Sequence, residues 1–125
     1  MKQKVLIVGA GPGLSSSLAR LCVSHNMQVI LAARNIEKLK KLKKEINEIN
    51  PKLPCYILSF DLLEINKIKN LILNIKNRFG TVDIVVHNGG TLVNKSFEKM
   101  KKEDLINSFT INYFAPYLIT QKIIP

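Results

Sequence analysis

The feature that most constrains the fold is a glycine-rich turn near the start of the chain. Residues 5–8 form a short, uninterrupted apolar run, which is typical of a strand covered on both faces of a parallel sheet. Gly9, Gly11 and Gly13 follow this run, and a segment with helical periodicity begins just after Pro12. Glycines let the backbone turn sharply and approach a pyrophosphate, and a helix N-terminus adds free N–H groups. The segment therefore predicts a dinucleotide-phosphate site, although a tight strand-to-helix turn needs glycine even without a ligand.

The rest of the chain repeats the same alternation of apolar runs and amphipathic segments. Strands are predicted at residues 29–32, 55–60 and 82–86, and helices at residues 36–49, 65–79 and 105–124. Strands and helices that alternate with short connections pair in parallel and cross over with a right hand. We therefore expect one α/β domain over residues 1–125, a Rossmann-type doubly wound parallel sheet with helices on both faces.

The first and last helices carry more specific predictions. In the first helix, residues that recur in steps of three and four predict a buried stripe of Leu14, Leu18, Leu21, Cys22 and His25. In the last helix, Pro116 predicts a kink near the middle. The chain stops at Pro125 within apolar, helix-like sequence that has no capping residue, so we expect a C-terminally truncated protein.

The formal net charge of +10 could indicate a nucleic-acid partner. The lysines concentrate in residues 38–44 and 95–102, where they are interspersed with Leu, Ile, Glu and Met as on solvated helix faces. The chain contains no recognisable nucleic-acid motif. We therefore expect no nucleic-acid partner; the opposite hypothesis predicts a steeply salt-dependent affinity for duplex DNA.

Cysteine usage and hydropathy limit the cellular compartments in which the protein is expected. Cys22 and Cys55 belong to no Cys-x-x-Cys pair and have no His at metal-ligand spacing, so we interpret them as reduced, buried thiols. No apolar stretch approaches the roughly 18 residues that cross a bilayer. The apolar run at the N-terminus ends at a glycine too soon for a secretory signal. We expect a cytoplasmic protein without a metal site or a membrane partner.

Two dinucleotide-binding patterns compete for the glycine-rich turn. The flavoprotein pattern, G-x-G-x-x-G, requires glycine at position 14, where the chain has Leu14. That pattern also expects a carboxylate at the end of the second strand, where the chain has Ala32, Ala33 and Arg34. A flavoprotein fragment that binds FAD or NAD is therefore the less favoured alternative.

The second pattern is matched at four places along the chain. Gly9 and Gly13 fit G-x-x-x-G-x-G, with Ser15 at the last glycine position. Asp61 follows the third predicted strand, residues 83–90 read DIVVHNGG, and residues 112–120 begin with Asn and end with Thr. In this order the segments resemble the motifs of the short-chain dehydrogenase/reductase family, including D-x-L-V-N-N-A-G and N-x-x-G-x-x-x-x-T. The resemblance covers essentially the whole chain.

This resemblance implies a nicotinamide dinucleotide cofactor. The residues that it assigns to the cofactor are Gly9, Gly11, Pro12, Gly13, Leu14, Arg34, Asp61, Leu62, Asn88, Gly89 and Gly90. Relatives that use NAD carry an acid at the position of Ala33, whereas an arginine fork at Arg34 fits a ribose 2′-phosphate. NADP(H) is therefore favoured, and NAD(H) stays possible. Asp61 could equally cap the next helix, Arg34 could be a surface residue, and Gly89 and Gly90 could form a plain turn.

The resemblance also implies oxidoreductase chemistry, with hydride transfer between nicotinamide and a small-molecule carbonyl or alcohol. The family uses a serine, a tyrosine and a lysine four positions after the tyrosine. No tyrosine of this chain is followed by lysine at that spacing. We therefore expect an enzyme as the full-length parent and an inactive 125-residue piece. A non-catalytic dinucleotide-binding sensor module is the alternative.

Two further residues stand out in these motifs. By resemblance, Asn112 has a supporting catalytic role, in which it helps to hold a water of the proton relay; a structural amide is the alternative. His87 replaces the first Asn of the family motif, and we expect it to be packed or hydrogen-bonded instead of catalytic. The resemblance further implies a homo-oligomer that forms through the apolar helix from residue 105 onward.

Overall fold

A computed structural model describes residues 2–125 of the chain and contains a four-stranded parallel sheet. The strands are β1 (Lys4–Val8), β2 (Gln28–Ala33), β3 (Tyr56–Ser59) and β4 (Ile84–His87). They lie in the order β3-β2-β1-β4, and every neighbouring pair is parallel. The central strand β1 pairs along its whole length with β2, from Lys4 opposite Gln28 to Val8 opposite Ala32. The chain adds β2 and β3 on one side of β1 and then β4 on the other side, so the strand order reverses between β1 and β4. This order confirms the predicted doubly wound sheet.

Helical segments connect the strands. They are α1 (Leu14–Ser24), α2 (Ile36–Ile49), a 3-10 turn (Ile65–Lys67) that leads into α3 (Ile68–Phe79), a second 3-10 turn (Phe97–Lys99), α4 (Lys102–Phe109), a π-helical segment (Thr110–Phe114) and α5 (Ala115–Ile123). Asn35 caps α2, because its side chain accepts a hydrogen bond from the Lys38 N–H. Within residues 2–125, no helix is both apolar enough and long enough to cross a bilayer.

The two faces of the sheet carry separate apolar layers. Along β1, Val5 and Ile7 pack with α1 and α2, whereas Leu6 and Val8 pack with α3 and α5. This alternation follows from the two-residue period of a strand, and it explains why the middle of β1 and β2 is apolar at consecutive positions. Both cysteines lie in the α1–α2 layer as buried free thiols. Burial raises the pKa of Cys55 to about 12, so this thiol is protonated at neutral pH.

The predicted buried stripe of α1 is partly wrong. Leu14 and Leu21 are 74% and 55% exposed, whereas the buried residues are Ser15, Ser16, Ala19, Cys22 and Val23. The contact face is thus rotated by about one residue from the face with the largest side chains. A helix that begins directly at the edge of a sheet must approach it closely, and small residues permit this approach while leucine does not.

The last helical region differs from the prediction of one long helix over residues 105–124. It begins at Lys102, and its middle is the π-helical segment, in which the Ala115 N–H donates to the Thr110 carbonyl five residues earlier. Pro116 lies directly after this segment, within the first turn of α5. Because proline has no N–H to donate, it disturbs the hydrogen-bond ladder at this point, and the predicted kink takes the form of a π-bulge.

Candidate nucleotide-binding crevice

A crevice of about 350 Å³ opens at the carboxyl ends of β1, β2 and β4. Its lining combines the turn after β1, the end of β2 with the start of α2, the segment after β3 and the loop after β4. The lining residues are Val8, Gly9, Ala10, Gly11, Pro12, Ala32, Ala33, Arg34, Asn35, Lys38, Phe60, Asp61, Leu62, Asn88, Gly89, Gly90, Thr91 and Ile111. Ligands of open α/β sheets bind at such a reversal of strand order.

The turn between β1 and α1, residues 9–13, is called the glycine turn below. Its first two N–H groups are already used, because those of Gly9 and Ala10 donate to the Ala32 carbonyl at 2.8 and 3.1 Å. In the part of the chain that the structure describes, the N–H groups of Gly11, Gly13 and Leu14 donate to no protein acceptor. These three amides stand at the N-terminus of α1, where the helix dipole adds positive potential.

Close backbone packing explains two glycines of the site. Gly9 has a φ of +83°, and a Cβ atom on it would overlap the Cα and N atoms of Gly89. A Cβ on Gly89 would lie 2.5 Å from Leu62 Cδ1, so Leu62 fills the space of the alanine that the family motif has there. By contrast, nothing lies within 4 Å of the Cβ direction at Gly11 or Gly13. Gly13 still favours glycine, because its φ is +93°.

Ser15 is buried (1% exposed) at the position where the family motif has its last glycine. Its hydroxyl donates to the Gly9 carbonyl at 3.3 Å and accepts a hydrogen bond from the Asn88 side-chain amide. The Asn88 N–H donates to the Val8 carbonyl at 2.8 Å. Asn88 therefore lines the crevice as predicted, but its amide nitrogen is bound to protein.

The end of β2 presents two cations to the crevice. Arg34 was predicted there, and Lys38 on the first turn of α2 lines the same wall. Sequence reasoning missed Lys38, because the lysines of residues 38–44 were interpreted as a solvated helix face. Lys38 comes only four residues after Arg34, in the first turn of the helix predicted from residue 36, and this nearness along the chain is the signal that could have found it. No acidic side chain stands at the end of β2 between residues 32 and 35.

Asp61 also lines the crevice, two residues after β3. Its side chain accepts a hydrogen bond from the Leu63 N–H at 2.9 Å, and its carbonyl accepts from the Glu64 N–H at 2.9 Å. The Asp61 side chain therefore closes a local turn and does not cap the following helical segment, whose N-cap residue is Glu64 and has no side-chain cap. Leu62 beside Asp61 lines the crevice as well.

Asn112 lies in the π-helical segment and holds the loop after β4. Its Oδ1 accepts from the Thr91 N–H at 2.9 Å, and its Nδ2 donates to the Thr91 carbonyl at 2.9 Å and to Ser108 Oγ at 3.2 Å. A Cβ on Gly90 would lie 3.2 Å from Asn112 Oδ1, so this loop runs close against the helix. Asn112 itself is exposed and lies outside the crevice lining, next to the groove formed by Tyr113 and Tyr117.

His87 is hydrogen-bonded, as the sequence led us to expect. One of its ring nitrogens, Nε2, lies 2.8 Å from the Thr120 hydroxyl on α5. Burial of part of the ring lowers the pKa of His87. Of the predicted cofactor residues, Gly13 and Leu14 do not line the crevice but follow Pro12, which does, and the other nine line it.

The fold and crevice define a Rossmann-type nucleotide-binding class of protein, and comparisons with known proteins specify the family. The model of the short chain dehydrogenase family matches residues 3–125. The chain therefore belongs to the short-chain dehydrogenase/reductase family. Within residues 2–125, no cluster of three or more metal-ligating side chains occurs.

Relatives with known sequences and structures agree with this assignment. The chain is 32% identical over 123 residues to a dehydrogenase/reductase SDR family protein 7-like from Drosophila melanogaster, and 29% identical over 114 residues to a 3-ketodihydrosphingosine reductase from Mus musculus. It superposes on a short-chain dehydrogenase from Streptomyces avermitilis with a TM-score of 0.87 and 26% identity, over 99% of this chain. A metagenomic short-chain oxidoreductase in complex with NADP gives 0.88 and 25% identity, over 97%.

The chain spans only part of these proteins. The alignments cover 97% and 89% of this chain but 38% and 34% of the Drosophila and mouse proteins. In the two solved structures the superposition covers 43% and 54% of the other chain.

Proposed function

We propose that this chain is the cofactor-binding part of an NADP(H)-dependent oxidoreductase. The whole protein would transfer hydride between the nicotinamide and a small-molecule carbonyl or alcohol. The observation that carries the proposal is the set of N–H groups at Gly11, Gly13 and Leu14, which have no acceptor within residues 2–125 and of which Gly11 lines the crevice. A diphosphate supplies the acceptor oxygens that such amides lack.

The residues of the crevice fit the successive parts of a dinucleotide. In this proposal, the glycine turn from Gly9 to Gly13, with Pro12 and Leu14, binds the diphosphate. Asp61 and Leu62 contact the adenine ring, while the loop of Asn88, Gly89 and Gly90 forms the wall toward the nicotinamide. The positive φ angles at Gly9 and Gly13 support this assignment, because they hold the turn in a shape that bare backbone can adopt.

The proposed preference for NADP(H) over NAD(H) rests on the charges at the end of β2. Arg34 and Lys38 both line the crevice, and the end of β2, residues 32–35, carries no carboxylate to bind ribose hydroxyls. A 2′-phosphate carries the charge that two cations bind well, whereas a free 2′-hydroxyl gains little from them.

Calorimetric titration with NADPH and with NADH tests this assignment. Arg34→Ala and Lys38→Ala should each weaken NADPH binding by roughly tenfold, because a hydrogen bond between charged groups is lost, and should leave NADH binding nearly unchanged. Lys41→Ala is the matched control, since Lys41 lies on the same helix away from the crevice. Equal losses for both cofactors would contradict the phosphate assignment.

The catalytic part of the proposal concerns the longer parent protein. The 125 residues contain no tyrosine followed by lysine four positions later, so we propose that they turn nothing over alone. Asn112 would support catalysis by fixing the loop after β4. The sequence that follows residue 125 in the parent decides between an enzyme and a non-catalytic sensor: a serine and a Tyr-x-x-x-Lys pair favour the enzyme.

The location and assembly of the parent are also proposals. Two buried free thiols, Cys22 and Cys55, are consistent with a reducing, cytoplasmic setting. Exposed apolar side chains on α4, the π-helical segment and α5 support a homo-oligomer that buries them; these are Leu105, Ile106, Phe109, Tyr113, Phe114 and Tyr117. Light scattering on the parent would measure its mass, and a monomer at micromolar concentration would contradict this assembly.

A further inference from the structure

Ser15 departs from the family motif, and the structure assigns it a contact that glycine could not make. Its hydroxyl has a single proton, which goes to the Gly9 carbonyl at 3.3 Å. The oxygen can therefore act toward Asn88 only as an acceptor, which fixes the amide nitrogen of Asn88 on the Ser15 side. The three residues form one chain of hydrogen bonds, from Asn88 to Ser15 to Gly9, which is called the Ser15 bridge below.

The Ser15 bridge joins three elements at the base of the crevice. Gly9 follows β1, Ser15 lies on the first turn of α1, and Asn88 follows β4. Both outer members are also anchored by the backbone: the Gly9 N–H donates to Ala32 on β2, and the Asn88 N–H donates to Val8 on β1. Ser15 is 1% exposed, so its hydroxyl is shielded from water, while Asn88 at the other end of the bridge is exposed.

We propose that Ser15 is a positioning residue, which holds the glycine turn in its ligand-ready shape before a dinucleotide arrives. The proposal rests on the proposed function. Bridging Gly9 to Asn88 restricts the start of the turn, so less conformational freedom is lost when the diphosphate binds. The same bond keeps the Asn88 amide nitrogen from the ligand, so Asn88 supports the turn from behind and does not bind the diphosphate through this atom.

Substitution by alanine separates this role from ordinary helix stability. Ala is the best helix former, so Ser15→Ala removes the hydroxyl without weakening α1 itself. Ser17→Ala is the matched control, because Ser17 lies on the same helix and is exposed. Within residues 2–125, its hydroxyl forms a hydrogen bond only with the Arg20 side chain. Asn88→Ala removes the bridge from its other end.

The first measurement is amide hydrogen exchange, by NMR on the ligand-free 125-residue chain. Ser15→Ala should accelerate amide exchange at Gly9 and Ala10 by roughly fivefold, as expected for the loss of one hydrogen bond. Val23, at the far end of α1, should exchange at the wild-type rate. Ser15→Ala combined with Asn88→Ala should accelerate exchange no more than either single change, because both break one bridge.

The second measurement is calorimetric titration of the same variants with NADPH. Ser15→Ala should weaken binding by roughly three- to tenfold, while Ser17→Ala should match the wild type. The positioning role is overturned if Ser15→Ala exchanges like Ser17→Ala, or if Ser15 and Asn88 act additively. If the exchange results hold but the wild-type chain shows no NADPH binding, the proposed function fails and the bridge stands as a structural element.

Discussion

The two walls of the crevice are built by different means. On one side, the glycine turn is held mainly by main-chain contacts: Gly9 packs against Gly89 of the loop after β4, and its N–H is bound to Ala32, with one side-chain bond added by Ser15. On the other side, the loop after β4 is held by side chains, with Asn112 bound to Thr91 on both backbone groups. Backbone contacts tolerate almost no added atoms, whereas side-chain contacts can be removed one hydrogen bond at a time.

This difference ranks the effects of substitution. At the glycine turn, an added side chain should lower the free energy of unfolding strongly, because two backbone segments must separate to make room for it. At the β4 loop the cost is the loss of individual hydrogen bonds at an exposed site, which is moderate. The two walls should therefore respond differently to mutation and to pH.

The largest effect is expected from Gly9→Ala. The added methyl group would overlap backbone atoms of Gly89, and the φ of +83° is unfavourable for alanine. We expect a loss of at least about 3 kcal/mol in the free energy of unfolding, which urea denaturation would measure.

Gly11→Ala is the control for that substitution. Nothing lies within 4 Å of the Cβ direction at Gly11, so its free energy of unfolding should stay within about 0.5 kcal/mol of the wild type. Equal destabilisation by the two substitutions would show that close packing against Gly89 is not what fixes the turn.

The same contrast explains what sequence reasoning could predict. The strands and the glycine turn were predictable, because a buried parallel strand is apolar throughout and a tight approach leaves only glycine. The buried face of α1 was not, because close helix packing selects Ala19 and Ser15 over Leu14 and Leu21. The bridge from Ser15 to Asn88 joins residues 73 positions apart, and only the folded sheet brings them together.

A moderate effect is expected from Asn112→Ala at the second wall. The substitution removes two hydrogen bonds to Thr91 and one to Ser108, while alanine favours the helix slightly. We expect a loss of about 1–2 kcal/mol in the free energy of unfolding, together with faster amide exchange at Thr91.

Asn107→Ala is the matched control for Asn112→Ala. Asn107 is an exposed asparagine one turn earlier, and its side chain makes no hydrogen bond to any residue between 2 and 125. Its replacement should leave exchange at Thr91 unchanged. If both variants behave alike, the loop after β4 is held by something other than Asn112.

The smallest effect is expected from pH, and it should involve only the second wall. His87 is the last residue of β4, directly before the loop after β4, and its Nε2 lies 2.8 Å from the Thr120 hydroxyl. Burial lowers the pKa of His87 below its ordinary value of 6.5, so the unfolded chain binds a proton more readily than the folded one. The stability that this residue contributes is therefore complete above about pH 6.5 and is lost as the pH falls through that value toward the lowered pKa.

His87→Gln should flatten the decline of the thermal midpoint between pH 7 and pH 5 while keeping a hydrogen-bonding side chain. A decline of unchanged steepness in His87→Gln would assign the acid sensitivity to other groups, and the second wall would then be as indifferent to pH as the glycine turn, which contains no titratable side chain.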